Sequence, residues 1–215
     1  IQVAQHNPYA SSGQQCIACH NPHAPKIGAA AVTVAGEAAA GANKHAASCA
    51  GCHGVKGISP NDTWPNLAGQ SAAYLARILA AYKSGDQKDV AMTPLAQALS
   101  DTDIQNLAIY YAGLSCNGTP SKPQAGDVAA GQALADKNCA ACHGKTGIAS
   151  NPAWPHIAGQ KPGYLMNVLK AFRGGLRKDP MMAGVVRGLS DADITNLAAF
   201  YAAQNCQAVT VGGKA

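Results

Sequence analysis

The chain has 215 residues, 47% of them hydrophobic, but only two Phe and two Trp against 23 Gly and an abundance of Ala. That length admits one ordinary domain or two small ones, and so few aromatic residues fill a large core poorly unless something other than protein helps. No run of about 18 apolar residues occurs, which excludes a membrane-spanning helix, and the formal charge of +5 is the one feature that favours a polyanionic partner.

Residues 1–37 form an N-terminal arm with almost nothing apolar enough to fold around. It holds Cys16-Ile17-Ala18-Cys19-His20 and, three residues on, His23. The first residue is Ile, so the chain is expected to be a mature product whose export segment has been removed, periplasmic or extracellular. The small-residue run from Ala29 to Ala42 is not that segment, because it lacks a basic leading region and follows the first Cys-x-x-Cys-His.

A first domain is expected over 38–116. Gly41 opens a short segment running into Cys49-Ala50-Gly51-Cys52-His53, and Trp64-Pro65 follows. A helix then carries Leu75, Ile78, Leu79 and Tyr82 at i, i+3, i+4, i+7, the spacing of one buried face. Met92 lies beyond it. The last helix begins at Ser100 with Asp103, where the hydroxyl can accept from a first-turn N–H, and continues through Ile104, Leu107, Ala108 and Tyr111. Residues 117–127, polar and broken by Pro120 and Pro123, read as a linker.

A second domain is expected over 128–207, because a shift of 90 positions lays the chain on itself without a gap. Cys139, Cys142 and His143 fall on Cys49, Cys52 and His53; Trp154-Pro155 on Trp64-Pro65; Gln160 on Gln70; Met182 on Met92; Cys206 on Cys116. Residues 208–215 are a tail. Strand patterns are nearly absent, and two copies are too few for a solenoid, so the expected fold is all-α, with two tandem domains of one design behind an irregular arm.

Cys-x-x-Cys alone serves zinc sites, redox dithiols and haem attachment, and the adjoining His shifts the balance to haem c. Zinc with two Cys and one His needs a fourth donor, naturally a repeated Cys or His. The repeat supplies Met92 and Met182 instead, thioethers that suit a haem iron and raise its potential. Met181 competes with Met182 but breaks the register. Three such units predict three covalently bound haems, through Cys16 and Cys19, Cys49 and Cys52, and Cys139 and Cys142, with His20, His53 and His143 on iron. Their propionates, about six charges against up to about three from ferric centres, bring the holo-protein near neutrality, and nucleic-acid binding loses its main support.

Cys-x-x-Cys-His-Gly, Trp-Pro-x-(Leu/Ile)-Ala-Gly-Gln, Tyr-Leu, a methionine and Leu-Ser-Asp before a terminal helix, twice over residues 38–206, resemble the two-domain dihaem class I cytochrome c family of the cytochrome c-four type. The resemblance implies two class I cytochrome c folds related by approximate twofold symmetry, one iron held by His53 and Met92 and the other by His143 and Met182. It also implies an electron carrier of the periplasm, not an enzyme, whose partners are respiratory redox proteins such as a quinol–cytochrome c reductase and a terminal oxidase or reductase. The arm lies outside the resemblance. Its haem has no Met available, so its sixth ligand is sought among His6, His23 and His45, in cis or from another molecule. A ligand in trans would make the chain a subunit of a cytochrome filament or other homo-oligomer. An oxidoreductase, such as a peroxidase or a sulfur-compound dehydrogenase, is the enzymatic alternative, and no catalytic residue is assigned.

Other positions carry weaker expectations. Lys44 stands against Leu134, and Gln87 against Arg177, so the copies differ there. Trp64 and Trp154 are either propionate donors or core aromatics. Tyr74, Tyr164, Tyr111 and Tyr201 read as packing, and His45 and His156, which have no histidine counterparts, as surface residues. Cys116 and Cys206 are expected to pair in an oxidising compartment or else to remain as buried thiols, since matched positions in two domains need not approach within about 7 Å.

Overall fold

A computed structural model of the protein describes residues 34–116 and 125–206, and these are helical, without strands. Each half has five helices. The first half runs α1 (Ala38–Ser48), α2 (Ala50–His53), α3 (Ala72–Ser84), α4 (Met92–Gln97) and α5 (Asp101–Ala112). The second runs α6 (Val128–Asn138), α7 (Ala140–His143), α8 (Pro162–Arg173), α9 (Pro180–Val186) and α10 (Asp191–Ala202).

The terminal helices organise each half. Ser100 Oγ accepts from the Asp103 N–H at 3.0 Å while Asp103 Oδ2 accepts from the Ser100 N–H at 2.9 Å, so two first-turn donors are satisfied reciprocally. Ser190 and Asp193 do the same for α10. Behind the cap, Ile104, Leu107, Ala108 and Tyr111 are buried on one stripe, and Ile194, Leu197, Ala198 and Tyr201 match them. Each large apolar side chain removed from water on that stripe contributes about 1.5–3 kcal/mol, which is where the stability of a helix this short resides.

The first helix of each half crosses its terminal helix at very close range, because Gly41 and Gly131 lie on the Asn106 and Asn196 backbone, where a Cβ would overlap the carbonyl. The same asparagines also pin the chain entering the crossing: Asn106 Oδ1 accepts from the Glu37 N–H at 2.7 Å, and Asn196 Oδ1 from the Asp127 N–H at 2.8 Å. Residues 34–37, counted with the arm by sequence, therefore sit on the first half, and Val34 packs on its core. Lys44 does not alter the crossing; it ion-pairs with Asp103 at 3.2 Å, a partly exposed contact of small energetic weight.

The halves are joined by contacts that repeat under the twofold relation. Gln70 Nε2 donates to the His156 carbonyl and Gln70 Oε1 accepts from the His156 N–H, both at 2.8 Å. Gln160 grips Asn66 in the same way, at 3.0 and 2.8 Å. A disulfide joins Cys116 to Cys206, with Cα atoms 5.7 Å apart, so the expected mutual bridge is present and the buried-thiol alternative is not. The capping of α8 breaks the symmetry: Asp62 caps it from the other half, its carboxylate accepting from the Gly163 N–H at 2.9 Å and its carbonyl from the Tyr164 N–H at 2.9 Å. Helix α3 uses its own Ser71 instead.

Candidate haem-binding sites

In each half the Cys-x-x-Cys-His segment is one tight turn, α2 or α7, ended by a glycine with positive φ, Gly54 at 76° or Gly144 at 75°. That turn places Cys49, Cys52 and His53, or Cys139, Cys142 and His143, on consecutive backbone of one helical turn. None of these four cysteines is in a disulfide, in contrast to the bridged Cys116 and Cys206. Burial pushes the Cys49 and Cys139 thiols up from their ordinary value.

The imidazoles are held alike. His53 Nδ1 lies 3.0 Å from the Pro65 carbonyl, and His143 Nδ1 lies 3.0 Å from the Pro155 carbonyl. A carbonyl only accepts, so Nδ1 carries the proton and Nε2 keeps its lone pair for a metal, the usual way an outer hydrogen bond sets the ligating tautomer. Burial lowers both histidines from their ordinary pKa, which favours the neutral, ligating form. The proline of each Trp-Pro pair thus positions the histidine through its carbonyl, while the tryptophans are not core residues: Trp64 is 41% exposed and Trp154 half-buried.

Met92 and Met182 are pinned by aspartates that sequence reading passed over. Asp89 Oδ1 accepts from the Ala91 and Met92 N–H groups, both at 2.9 Å, and Asp179 Oδ1 from Met181 and Met182 at 3.0 and 3.1 Å. The repeated Asp-x-x-Met is the missed signal. Met92 is half-buried against the core cluster that Cys49 also borders, and Met182 against the one that Cys139 borders, whereas Met181 is 44% exposed. Each half thus brings the first cysteine of its pair and its methionine against one core, with the histidine on the same turn as that cysteine. No three His, Cys, Asp or Glu side chains converge as a metal-binding set among the described residues, so the zinc alternative finds no donor set there. The donors present suit a covalently attached haem with nitrogen and thioether on iron.

Two histidines differ from expectation. His45 is 2% exposed, with Nδ1 2.8 Å from Tyr111 Oη and Nε2 3.3 Å from the Val55 carbonyl, so it is a core residue with both nitrogens engaged and not a surface residue. His156 is buried at the junction of the halves, where Nδ1 accepts from the Ala149 N–H at 3.1 Å. The alanine at 135 explains another asymmetry: no imidazole stands in for His45 there, and the buried Tyr201 hydroxyl has only the Cys139 side chain beside it. Tyr74 is no simple packing residue either, because its hydroxyl accepts from Arg177 of the other half at 3.3 Å. Cys16, Cys19, His20, His6 and His23 lie outside the described residues.

This fold and donor arrangement, repeated, define a two-domain class I cytochrome c. Residues 36–110 match the family model described as cytochrome c oxidase, cbb3-type, subunit III; residues 128–203 match that of cytochrome c; and residues 6–57 match the doubled CXXCH motif. A cytochrome c4 from Pseudomonas aeruginosa is 34% identical over 77% of this chain and 88% of its own length. A thiosulfate dehydrogenase electron acceptor from Stutzerimonas stutzeri is 31% identical over 84% of this chain and 94% of its own. The crystal structure of reduced cytochrome c4 from Pseudomonas stutzeri superposes with a TM-score of 0.72 at 32% identity, covering 80% of this chain and all of that one. The chain belongs to the cytochrome c4 family, and it is an electron-transfer cytochrome that carries covalently bound haem c.

Proposed function

We propose that the protein is a periplasmic trihaem carrier that passes electrons between respiratory partners. One haem is bound through Cys49 and Cys52 with His53 and Met92 on iron, a second through Cys139 and Cys142 with His143 and Met182, and a third in the arm through Cys16, Cys19 and His20, with His6 or His23 as its sixth ligand. The observation that carries this reading is the twice-repeated pairing of a carbonyl-fixed histidine with an aspartate-pinned methionine at the edge of one core. The oxidised Cys116–Cys206 pair supports an oxidising compartment.

When bound, haem supplies the one-electron chemistry. The protein keeps each imidazole neutral and oriented through the Pro65 or Pro155 carbonyl, fixes each methionine backbone through Asp89 or Asp179, and shields the surroundings with the apolar clusters. A site closed by histidine and methionine leaves no position for substrate, which favours a carrier over a peroxidase. The relative that accepts electrons from a thiosulfate dehydrogenase favours a second reading of the same carrier role, with a sulfur-compound dehydrogenase as donor.

The test is Met92→Ala with Met182→Ala, beside a haem count by alkaline pyridine spectroscopy. The expected result is three haems per chain and, in the double variant, loss of the weak long-wavelength absorption of ferric methionine ligation. Retention of that band overturns the ligand assignment, and two haems per chain overturn the trihaem count.

A further inference from the structure

One loop of the second half carries much of the junction. Residues 149–156 give the first half four hydrogen bonds: the Pro152 carbonyl accepts from Ser71 Oγ, the Ala153 carbonyl accepts from Arg77 at 3.4 Å, and the His156 N–H and carbonyl each meet the Gln70 side chain at 2.8 Å. The loop is fastened end to end by its last side chain, His156 Nδ1 accepting from the Ala149 N–H at 3.1 Å. An Nδ1 that accepts carries no proton, so the imidazole is the neutral tautomer protonated at Nε2.

The first copy does the same task with a group that does not titrate. Asn66 occupies the position of His156, and its Oδ1 accepts from the Ser59 N–H at 3.0 Å. That loop has a further fastening, since Ser59 Oγ lies 3.1 Å from both the Cys52 and the Asn61 carbonyl oxygens, to which it can donate. Ala149 has no hydroxyl, so closure of the second loop falls to a ring that can gain a proton near neutral pH. His156 is buried, and the small cavity it lines is walled by Asn66, Gln70, Gln160 and the bridged Cys116 and Cys206, with no charged residue among its walls. The charged groups of the facing elements are engaged elsewhere, Arg77 with the Ala153 carbonyl and Asp62 with the start of α8. Burial first, and then the electrostatic effect of His143, lower His156 from its ordinary value.

We propose that His156 is an acid-sensitive latch on the junction between the halves. A proton taken from solvent at Nδ1 turns the acceptor into a donor that faces the Ala149 N–H. The loop then parts at its ends, and its four bonds to the first half loosen together. The Cys116–Cys206 bridge keeps the halves tethered, so the loosening is reversible. Because the folded-state value lies below the ordinary 6.5, the latch is fully stabilising above that pH and weakens as the pH falls through it toward the lowered value. The latch acts on the docking of the halves and is independent of the axial ligands on iron.

Hydrogen exchange of the full-length holoprotein at pH 7.5 and pH 5.5, corrected for the intrinsic pH dependence of exchange, tests this in wild type and His156→Asn. Asparagine is the residue that the first copy uses at this place, so the variant keeps an acceptor and removes the titration. One proton taken up on opening changes the opening equilibrium by at most about tenfold per pH unit. In the wild type, protection at the Ala149 and His156 amides should fall by about threefold to tenfold at the lower pH, with α5 and α10 little changed. In His156→Asn it should stay level. Should that variant not assemble, Ala149→Ser supplies the hydroxyl fastening of Ser59 and should blunt the fall. A wild type whose junction protection is the same at both pH values overturns the latch, and so does an equal fall in wild type and variant. Loss of protection in His156→Asn already at pH 7.5 assigns the imidazole a packing role and overturns it too. A fall in α5 and α10 as large as that in the loop makes the acid effect global and overturns the local opening.

Discussion

Replacing both bridge cysteines, Cys116→Ala with Cys206→Ala, perturbs the halves unequally. The bridge spans 90 positions, and the loop it closes consists of the linker and the whole second half; the first half lies outside it. Cross-linking an unfolded loop of that length removes about 4.6 kcal/mol of chain entropy at 25 °C on the loop-closure relation, against about 2–5 kcal/mol commonly lost with a native disulfide. The second half should therefore lose at least about 2 kcal/mol, and the first only what it gains from docking. Hydrogen exchange read by mass spectrometry separates the two. Protection in α10 should fall by about thirtyfold or more, since each 1.4 kcal/mol is about tenfold, while α5 changes much less. Equal losses in α5 and α10, or a fall under about threefold in α10, would refute the loop-closure argument.

The tyrosine asymmetry gives paired expectations by chemical denaturation of the holoprotein: Tyr111→Phe strands His45 Nδ1 and costs about 1–3 kcal/mol, whereas Tyr201→Phe removes a hydroxyl with no imidazole against it and shifts stability by under about 1 kcal/mol. The reverse order of the two costs would show that His45 does not depend on Tyr111. Asp62→Ala should cost about 0.5–2 kcal/mol, the range for loss of an N-cap, and its signature is faster exchange at the Gly163 amide although the mutated residue lies in the other half. Unchanged exchange at that amide contradicts capping across the junction.

What the sequence displayed was whatever is local or repeated. The Ser100–Asp103 and Ser190–Asp193 caps are three-residue signals, the helix faces follow their periodicity, and the Cys-x-x-Cys-His turns are contiguous, so each could be read without tertiary knowledge. His45 was misplaced because its burial depends on Tyr111, 66 positions away, and a lone polar residue in an Ala-rich helix gives no hint of such a partner. Gln70 and Gln160 were visible as a repeated motif, yet their task was not, since each serves the backbone of the opposite half. The Asp89 and Asp179 turns were legible in principle. Attention to the thioether donors passed over the carboxylates three positions before them.

The reciprocal grip of Gln70 on His156 and of Gln160 on Asn66 has the logic of an isologous contact, in which one patch binds its own copy. Each half carries both the clamp and the backbone that the clamp seizes, together with one cysteine of the bridge. Such a patch is complete in a single copy, so an unlinked half already has what it needs to form a symmetric homodimer, sealed by a Cys116–Cys116 or Cys206–Cys206 bond. Tandem fusion then adds no new recognition. It frees the two copies to diverge, and the departures at Asp62, His45 and Arg177 are the places where one chain does what a symmetric pair of identical chains is unable to do: give its two ends different properties.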